Sequence, residues 1–487
     1  MNNKNPNLNP NLNPNLNPNS NPMFCNEVKN DEVKNDEVKT DDLKDEQLLV
    51  FDKYIAGENI FITGPGGTGK THIIKAIVKH ATEKERVFKV CALTGCAAIL
   101  LMCGAVTLHA FAGIGLATGT IAEVVEKVIK NRYKRPNWQK LDLLIVDEVS
   151  MLSLKIFRIL DAIARKIKKK PNMPFGGIQI IFSGDFYQLP PVGDETDPES
   201  CQFCFESPLW DLVFPPRNQV QLKTMFRQTD PKYIKILNNI RVGKITPGTI
   251  ATLTECVTKK YDTANEIRPT ILLPRRRDAE IINNLELNKL DPKTEKVFQI
   301  VSVPETDLVL TKEQLKNLDV FTEKEREYEL NYLTDNIIAE KTLKLRKGAI
   351  VMCIANLDVD SATPIVNGSQ GIVTDFDYNG FPMVEFTNGA KQIITPHIWQ
   401  SERMAGIAVK QVPLIYAWAI TIHKAQGITL DRALIDIGFQ TFECGQTYVA
   451  LSRIKSLAGL YLKSFDYTKI TVNKKVTQFY AKNNSEK

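Results

Sequence analysis

The sequence predicts an α/β protein of two strand-turn-helix domains, the second interrupted by a small β-barrel, with a disordered tail ahead of both. Three observations predict this. Short apolar runs at residues 60–62, 141–146 and 178–182 alternate with amphipathic helical runs such as FRILDAIARKIKKK, the pattern of a buried parallel sheet covered by helices. The same grammar restarts near Arg268 with the strand TILLP, a basic turn at Arg275 to Arg277 and the helical run DAEIINNLELNKL. Between about residues 348 and 412 the texture changes to short strands separated by Gly and Asn turns (AIVMCIAN, NGSQGIVTDF, GFPMVEFTNG, KQIITP), which reads as a small barrel. The expected division is a tail over 1–44, a first domain over 45–265, a second over 266–470 with its insert, and a C-terminal tail over 471–487.

Length and composition set the limits. A chain of 487 residues holds two or three domains with substantial cores. A net charge of +6 suits a polyanionic partner where the excess is gathered in a cleft, and otherwise reads as ordinary surface solvation. Nine scattered Cys read as reduced thiols, and the close pair Cys201 and Cys204 lacks the second pair that a zinc site needs. No apolar run reaches membrane-spanning length and the N-terminus lacks a signal-peptide core, so the expected location is intracellular: the nucleus, or a cytoplasmic replication site for a viral protein.

Residues 1–44 are Asn-Leu-Asn-Pro repeats followed by the pentads NEVKN, DEVKN and DEVKT. Regularly spaced prolines forbid helix and sheet, and a five-residue period keeps no apolar stripe on a helix. This tail holds five Lys against seven Asp and Glu, which leaves +8 for the rest. Recruitment of a partner protein is an open reading of it.

The first domain opens with DEQLLVFDKYIAGEN, a short helix leading into the segment NIFITGPGGTGKTH at residues 59–72. Here an apolar strand enters a glycine-rich turn and then a helix, which is a P-loop in its proper context. Gly64, Gly66, Gly67, Thr68 and Gly69 let backbone N–H groups close around phosphate oxygens, Lys70 reaches the β/γ-phosphates, and the Thr71 hydroxyl can ligate Mg²⁺. Gln47, just upstream, has the paired donor and acceptor that read an adenine edge, and alone would be a surface Gln. The run LDLLIVDEVSMLS sets Asp147 and Glu148 at the carboxyl end of a buried strand, where open α/β sheets place their chemistry. Downstream of a P-loop these acids divide the work: Asp147 holds Mg²⁺ and Glu148 orients and deprotonates the attacking water. The bland reading is a helix cap with first-turn acids.

Further along, the strand of GIQIIFSGDFYQLPPV ends in Asp185 and Gln188, a Gln placed to sense the γ-phosphate, and QLKTMFRQ offers Arg227 as a candidate arginine finger. His109 and Phe111 fall in what reads as a glycine-flanked loop, and an isolated His is more often a surface or core residue than a ligand. Arg453 follows an amphipathic helix in GQTYVALSRIKSLAGLYL. The basic runs KIKKKP and PRRRD lie inside the folded core, which favours buried or nucleic-acid-facing roles over an import signal.

With those residues in hand the chain resembles the PIF-type (petite integration frequency) DNA helicases of superfamily one. The match runs in unbroken motif order over roughly residues 45–467, through GPGGTGKT, TGCAA with TLHAFAGIG, IVDEVSML, PFGGIQIIFSGDFYQLPPV, FRQ, VNGSQGIV, TIHKAQGITLD and YVALSR. The resemblance implies two RecA-like domains with ATP and Mg²⁺ in the cleft between them, and translocation on single-stranded DNA in the 5′ to 3′ direction. It makes Gln47 an adenine contact, Gln188 the γ-phosphate sensor, and Arg227 and Arg453 paired fingers reaching across the cleft. It assigns DNA contacts to Thr94, His109, His423 and Lys424, and sets the loop after Phe111 beside a strand-separating wedge. The implied partners are single-stranded DNA and forked or 5′-overhang duplex, met by a monomer or by a dimer on DNA. Two other readings stand beside it: a nucleotide-gated DNA-binding scaffold without productive unwinding, against which the intact set Lys70, Glu148, Gln188, Arg227 and Arg453 speaks, and a RecD-like helicase, which fits PFGGIQ less well.

Overall fold

The computed structural model describes residues 43–485 except 102, 133, 262–267, 309, 311–320, 338, 358–362, 364, 402–403 and 405. All but the last two residues of the predicted N-terminal tail lie outside the described residues. Of those two, Leu43 is buried and Lys44 is the N-cap of helix α1 (Asp45–Ile55).

The first domain is built on six strands, β1 (Ile60–Thr63), β2 (Phe88–Ala92), β3 (Val106–Thr107), β4 (Leu143–Asp147), β5 (Gln179–Gly184) and β6 (Gln219–Gln221). They lie in the order β3-β2-β4-β5-β1-β6, every neighbour pair parallel. β1, β4 and β5 occupy the middle and are buried at every position, which is why their sequences are continuous apolar runs rather than alternating ones. Because these three are neighbours, the loops that follow them open side by side on one edge of the sheet. Those loops carry the P-loop, Asp147 with Glu148, and Asp185 with Gln188.

The second domain is a four-stranded parallel sheet in which β7 (Thr270–Leu273) pairs on one side with Ala419–Thr421 and on the other with Ala433–Ile437, followed by Leu460–Phe465. Between β7 and Ala419–Thr421 the chain makes a small antiparallel body that takes strands from both sides of the expected 348–412 insert. Lys391–Ile393, Pro382–Phe386, Gln370–Phe376, Ile350–Cys353 and Leu414–Tyr416 form one sheet, and His397–Gln400, Ala408–Gln411 and Val301–Ser302 form another. Pro396 and Pro413, neither able to donate to a ladder, stand where the chain passes from one sheet to the other.

Two local readings are corrected. The segment around His109 and Phe111 is not a loop but a short helix, Leu108–Ala112, capped by Thr107, whose hydroxyl accepts from Ala110 N, and closed by Gly113 at φ 73. Residues 471–485, the described part of the expected C-terminal tail over 471–487, are not a tail. They carry helix Lys474–Ser485, which crosses back to the first domain: Tyr480 stacks on Tyr187 at 4.8 Å, Phe479 on Phe205 at 4.4 Å, and Asn483 Nδ2 donates to Gln219 Oε1 at 2.6 Å. Among the described residues no helix is long and apolar enough to cross a membrane.

Candidate active site

The P-loop joins β1 to helix α2 (Lys70–Glu83), with Gly69 as a left-handed N-cap at φ 79. Side chains are excluded here by crowding as well as by backbone angle. A Cβ on Gly64 would meet Leu222 O at 2.4 Å, one on Gly67 would meet Arg227 Cβ at 2.6 Å, and one on Gly69 would meet Gln47 Nε2 at 2.6 Å. Thr68 stiffens the turn by donating from Oγ1 to Pro65 O at 2.9 Å. Lys70 Nζ folds back over the mouth of the loop, 2.8 Å from Gly64 O and 3.0 Å from Pro65 O. Burial lowers its pKa, and the carboxylates of Asp185, Glu148 and Asp147 oppose that shift. Thr71, at the second position of α2, is exposed.

Asp147 ends β4 and is buried; its pKa is pushed up to about 6, by burial first and by Glu148 second. Glu148 sits at φ 54 and ψ 40, a left-handed conformation that costs a non-glycine residue about 1 kcal/mol or more and turns its side chain off the strand direction. β5 approaches closely there, since a Cβ on Gly184 would lie 2.9 Å from Val149 N. After β5, Asp185 accepts two hydrogen bonds from Arg241, from Nε and Nη2, each at 2.8 Å. Burial works against the Arg241 charge and Asp185 more than offsets it, raising its pKa. Gln188 is buried, and among the described residues its Oε1 has no hydrogen-bond partner.

The second domain closes over this edge. A Cβ on Gly66 would lie 3.5 Å from Arg453 Nη2 and 3.8 Å from Arg227 Nη1, so both guanidiniums face the P-loop backbone. Arg453 is held by Val449 O at 2.9 Å and Ser452 Oγ at 2.7 Å, and Arg227 Nη1 donates to Ser452 O at 3.3 Å. Burial, and after it repulsion from Arg227, bring the Arg453 pKa down to about 9; burial also lowers that of Arg227. A buried cation with a half-buried one beside it, next to a loop of backbone donors, fits a polyphosphate, whose charge would relieve both penalties. The oxygens of Thr71 and Asp147 suit a hard divalent cation.

The sequence-derived ATP-site residues therefore meet on one edge of the sheet. Gln47 is also there, its amide accepting from Lys44 N at 3.0 Å and donating to Gly69 O at 3.2 Å, so it braces the loop from below. The DNA candidates are more dispersed. Thr94 accepts from Ala97 N at 3.2 Å at the start of helix Gly95–Leu101, and His109 lies on the next short helix with its pKa lowered by burial. His423, likewise lowered by burial, and Lys424 sit in one turn after Ala419–Thr421, with Lys424 Nζ 4.0 Å from Glu340.

Three participants escaped the sequence reading. Tyr448 Oη accepts from Gly66 N at 3.0 Å, Gln426 Nε2 donates to Glu148 Oε2 at 3.2 Å, and Tyr480 Oη bonds Thr63 Oγ1 at 2.7 Å and accepts from Phe186 N at 3.2 Å. Tyr448 and Gln426 stand inside YVALSR and TIHKAQGITLD, so their motifs were visible though their partners were not.

A family model described as PIF1-like helicase matches residues 42–249, and one described as DNA helicase Pif1, 2B domain, matches residues 329–376. The ATP-dependent DNA helicase PIF1 of Xenopus laevis is 35% identical over 439 residues, 89% of this chain and 63% of that protein, so the chain spans under two thirds of that relative. The crystal structure of Bacteroides sp Pif1 in complex with ADP-AlF4 is similar at a TM-score of 0.72 and 30% identity, covering 91% of this chain and 97% of that one. For Bacteroides Pif1 in complex with ADP-AlF3 and ssDNA the TM-score is 0.62, at 30% identity over 91% and 98%.

Proposed function

The chain belongs to the PIF1-like helicase family, and from that premise we propose that it is an ATP-dependent DNA helicase that moves 5′ to 3′ on single-stranded DNA and opens forked or 5′-overhang duplex. The observation that carries this reading is the convergence at Gly66: P-loop donors and Lys70 from the first domain face Arg453 from the second, with Arg227 between them.

Bound ATP supplies the phosphoryl group for transfer to water, and Mg²⁺ supplies a cation for the phosphate oxygens and developing charge. The backbone N–H groups of residues 64–70 and Lys70 Nζ hold the phosphates, which requires Lys70 to leave the carbonyls of Gly64 and Pro65. Thr71 and Asp147 would hold the metal. Glu148 takes the proton of the attacking water, Gln188 reads the γ-phosphate, and Arg227 and Arg453 neutralise charge as it develops. Gln47 offers its amide to the adenine. Tyr448 must release Gly66 N when phosphate takes that donor, so loading the loop shifts a second-domain helix and links occupancy to the cleft. Thr94 and His109 on one domain, and His423 and Lys424 on the other, grip the DNA strand, so changing the cleft changes the spacing of the grips. The sites of action that fit are genome replication, repair or recombination, in the nucleus or at a cytoplasmic replication site.

An overhang-polarity assay tests this. The full chain should hydrolyse ATP faster with single-stranded DNA and unwind a duplex bearing a 5′ overhang; unwinding from a 3′ overhang alone overturns the direction, and absence of DNA-stimulated hydrolysis overturns the motor. Repeating it without residues 1–44 reads out whether the tail recruits anything the motor needs.

A further inference from the structure

The hydrogen bond from Gln426 Nε2 to Glu148 Oε2, 3.2 Å across the interdomain cleft, joins the residue placed to activate water to a turn of the other domain. That turn is tightly built. Ala425 N donates to Thr421 O at 3.0 Å, Gln426 N to His423 O at 3.1 Å, and Lys424 N to Thr421 Oγ1 at 3.1 Å, so residues 421–426 form one hydrogen-bonded turn. Its two faces differ. Lys424 keeps 42% of its side chain exposed, whereas Gln426 is 7% exposed and faces the nucleotide edge. A displacement of the turn at Lys424 or His423 is therefore delivered to the Glu148 carboxylate without passing through another element.

Glu148 is suited to receive it. Its carboxylate ends a side chain with several rotatable bonds, so a single hydrogen bond can set its orientation. A neutral amide donor fixes the orientation of one carboxylate oxygen, leaves the other free for water, and adds no charge.

We propose that Gln426 is a positioning residue that couples the DNA-facing turn to Glu148, so that the strand held at His423 and Lys424 sets the orientation of the general base and hence the DNA stimulation of ATP hydrolysis. This rests on the helicase reading above. The coupling is local: one amide, one carboxylate, and a turn held by its own hydrogen bonds.

The test compares wild type with Gln426→Met, which keeps length and packing but has no donor, measuring kcat and KM for ATP with and without oligo-dT, together with Tm and the Kd for oligo-dT without nucleotide. The expected result is a ratio of DNA-stimulated to basal kcat about tenfold lower, the size that coupling residues produce, with basal kcat lowered less than the stimulated rate and KM, Tm and Kd close to wild type. A ratio equal to wild type in a folded variant overturns the proposal, as does a loss of oligo-dT binding that accounts for the whole effect. Gln426→Glu, which sets a like charge against Glu148, provides the same readout should the Met variant not fold, and is expected to lower the ratio at least as far. A wild-type ATPase that DNA does not stimulate at all overturns the helicase reading instead, so the two failures are told apart.

Discussion

Glu148 and Asp147 are adjacent in sequence yet differ in every respect that matters for chemistry. Asp147 is the last residue of a buried strand, whereas Glu148 turns out of it in a left-handed conformation. Glu148→Gln should therefore keep ATP and DNA binding while kcat falls by about 10²–10⁴-fold, the usual size of a general-base contribution; undiminished turnover in a steady-state assay rejects it as the base. For Asp147 the raised pKa of about 6 gives a pH prediction. Below that value the carboxyl is protonated and a metal must displace the proton, so the apparent Mg²⁺ affinity should fall by up to about tenfold per pH unit and stay level above it. A Mg²⁺ titration of ATPase activity between pH 5 and pH 8 measures this, and a flat profile removes Asp147 from the metal site. Asp147, Glu148 and Gln188 were legible in the sequence because each follows a short apolar run within a few residues, and Lys70 because a glycine-rich turn between a strand and a helix is itself a local pattern. Gln426 and Tyr448 were not, because their meaning lies in partners 278 and 382 residues away that only the packing of two domains brings near.

Helix Lys474–Ser485 shows the same limit at the scale of an element. Val476 and Tyr480 are its buried apolar residues, with Phe479 half-buried, too short a stripe to declare a docking face by periodicity, and its partners are Phe61, Phe186, Phe205 and Trp210 far upstream. Once docked, it puts a phenol beneath the nucleotide loops, where Tyr480 Oη ties the last residue of β1 to the loop after β5. Tyr480→Phe leaves Phe186 N without its partner and should cost about 1–3 kcal/mol, whereas Tyr480→Ala also empties a core position and should cost about 3–5 kcal/mol. Chemical denaturation of both variants orders them; an Ala variant as stable as wild type would mean that the helix does not dock. PFGG, in contrast, was legible as a signature and obscure as a structure. Phe175 sits at φ 48, its N–H donates to Asp161 Oδ1 at 2.7 Å, and a Cβ on Gly176 would strike Ala164 O at 2.6 Å. That turn fixes how the helix Leu154–Lys168 hands the chain to β5, and so aims Asp185 and Gln188.

Across the whole molecule, the cleft holds an electrostatic tension that the nucleotide is placed to resolve. Arg453 is buried with Arg227 half-buried beside it, and burial first, then repulsion from Arg227, brings the pKa of Arg453 down to about 9. An anion bound beside both guanidiniums would oppose both effects. Nucleotide at about 100 times its Kd should stabilise the protein by about 2.7 kcal/mol through mass action, seen as a rise in Tm. Arg453→Met separates the two contributions. Removing the buried charge while keeping an apolar side chain of similar length should leave the empty protein as stable as wild type or more so. The same change withdraws a phosphate partner, so the Tm gained with a non-hydrolysable ATP analogue should shrink, and DNA-stimulated kcat should fall by about 10³-fold or more. Differential scanning fluorimetry with and without the analogue provides both stability terms. A variant less stable than wild type when empty, yet gaining as much from the analogue, would show that Arg453 holds the domains together rather than waiting for phosphate.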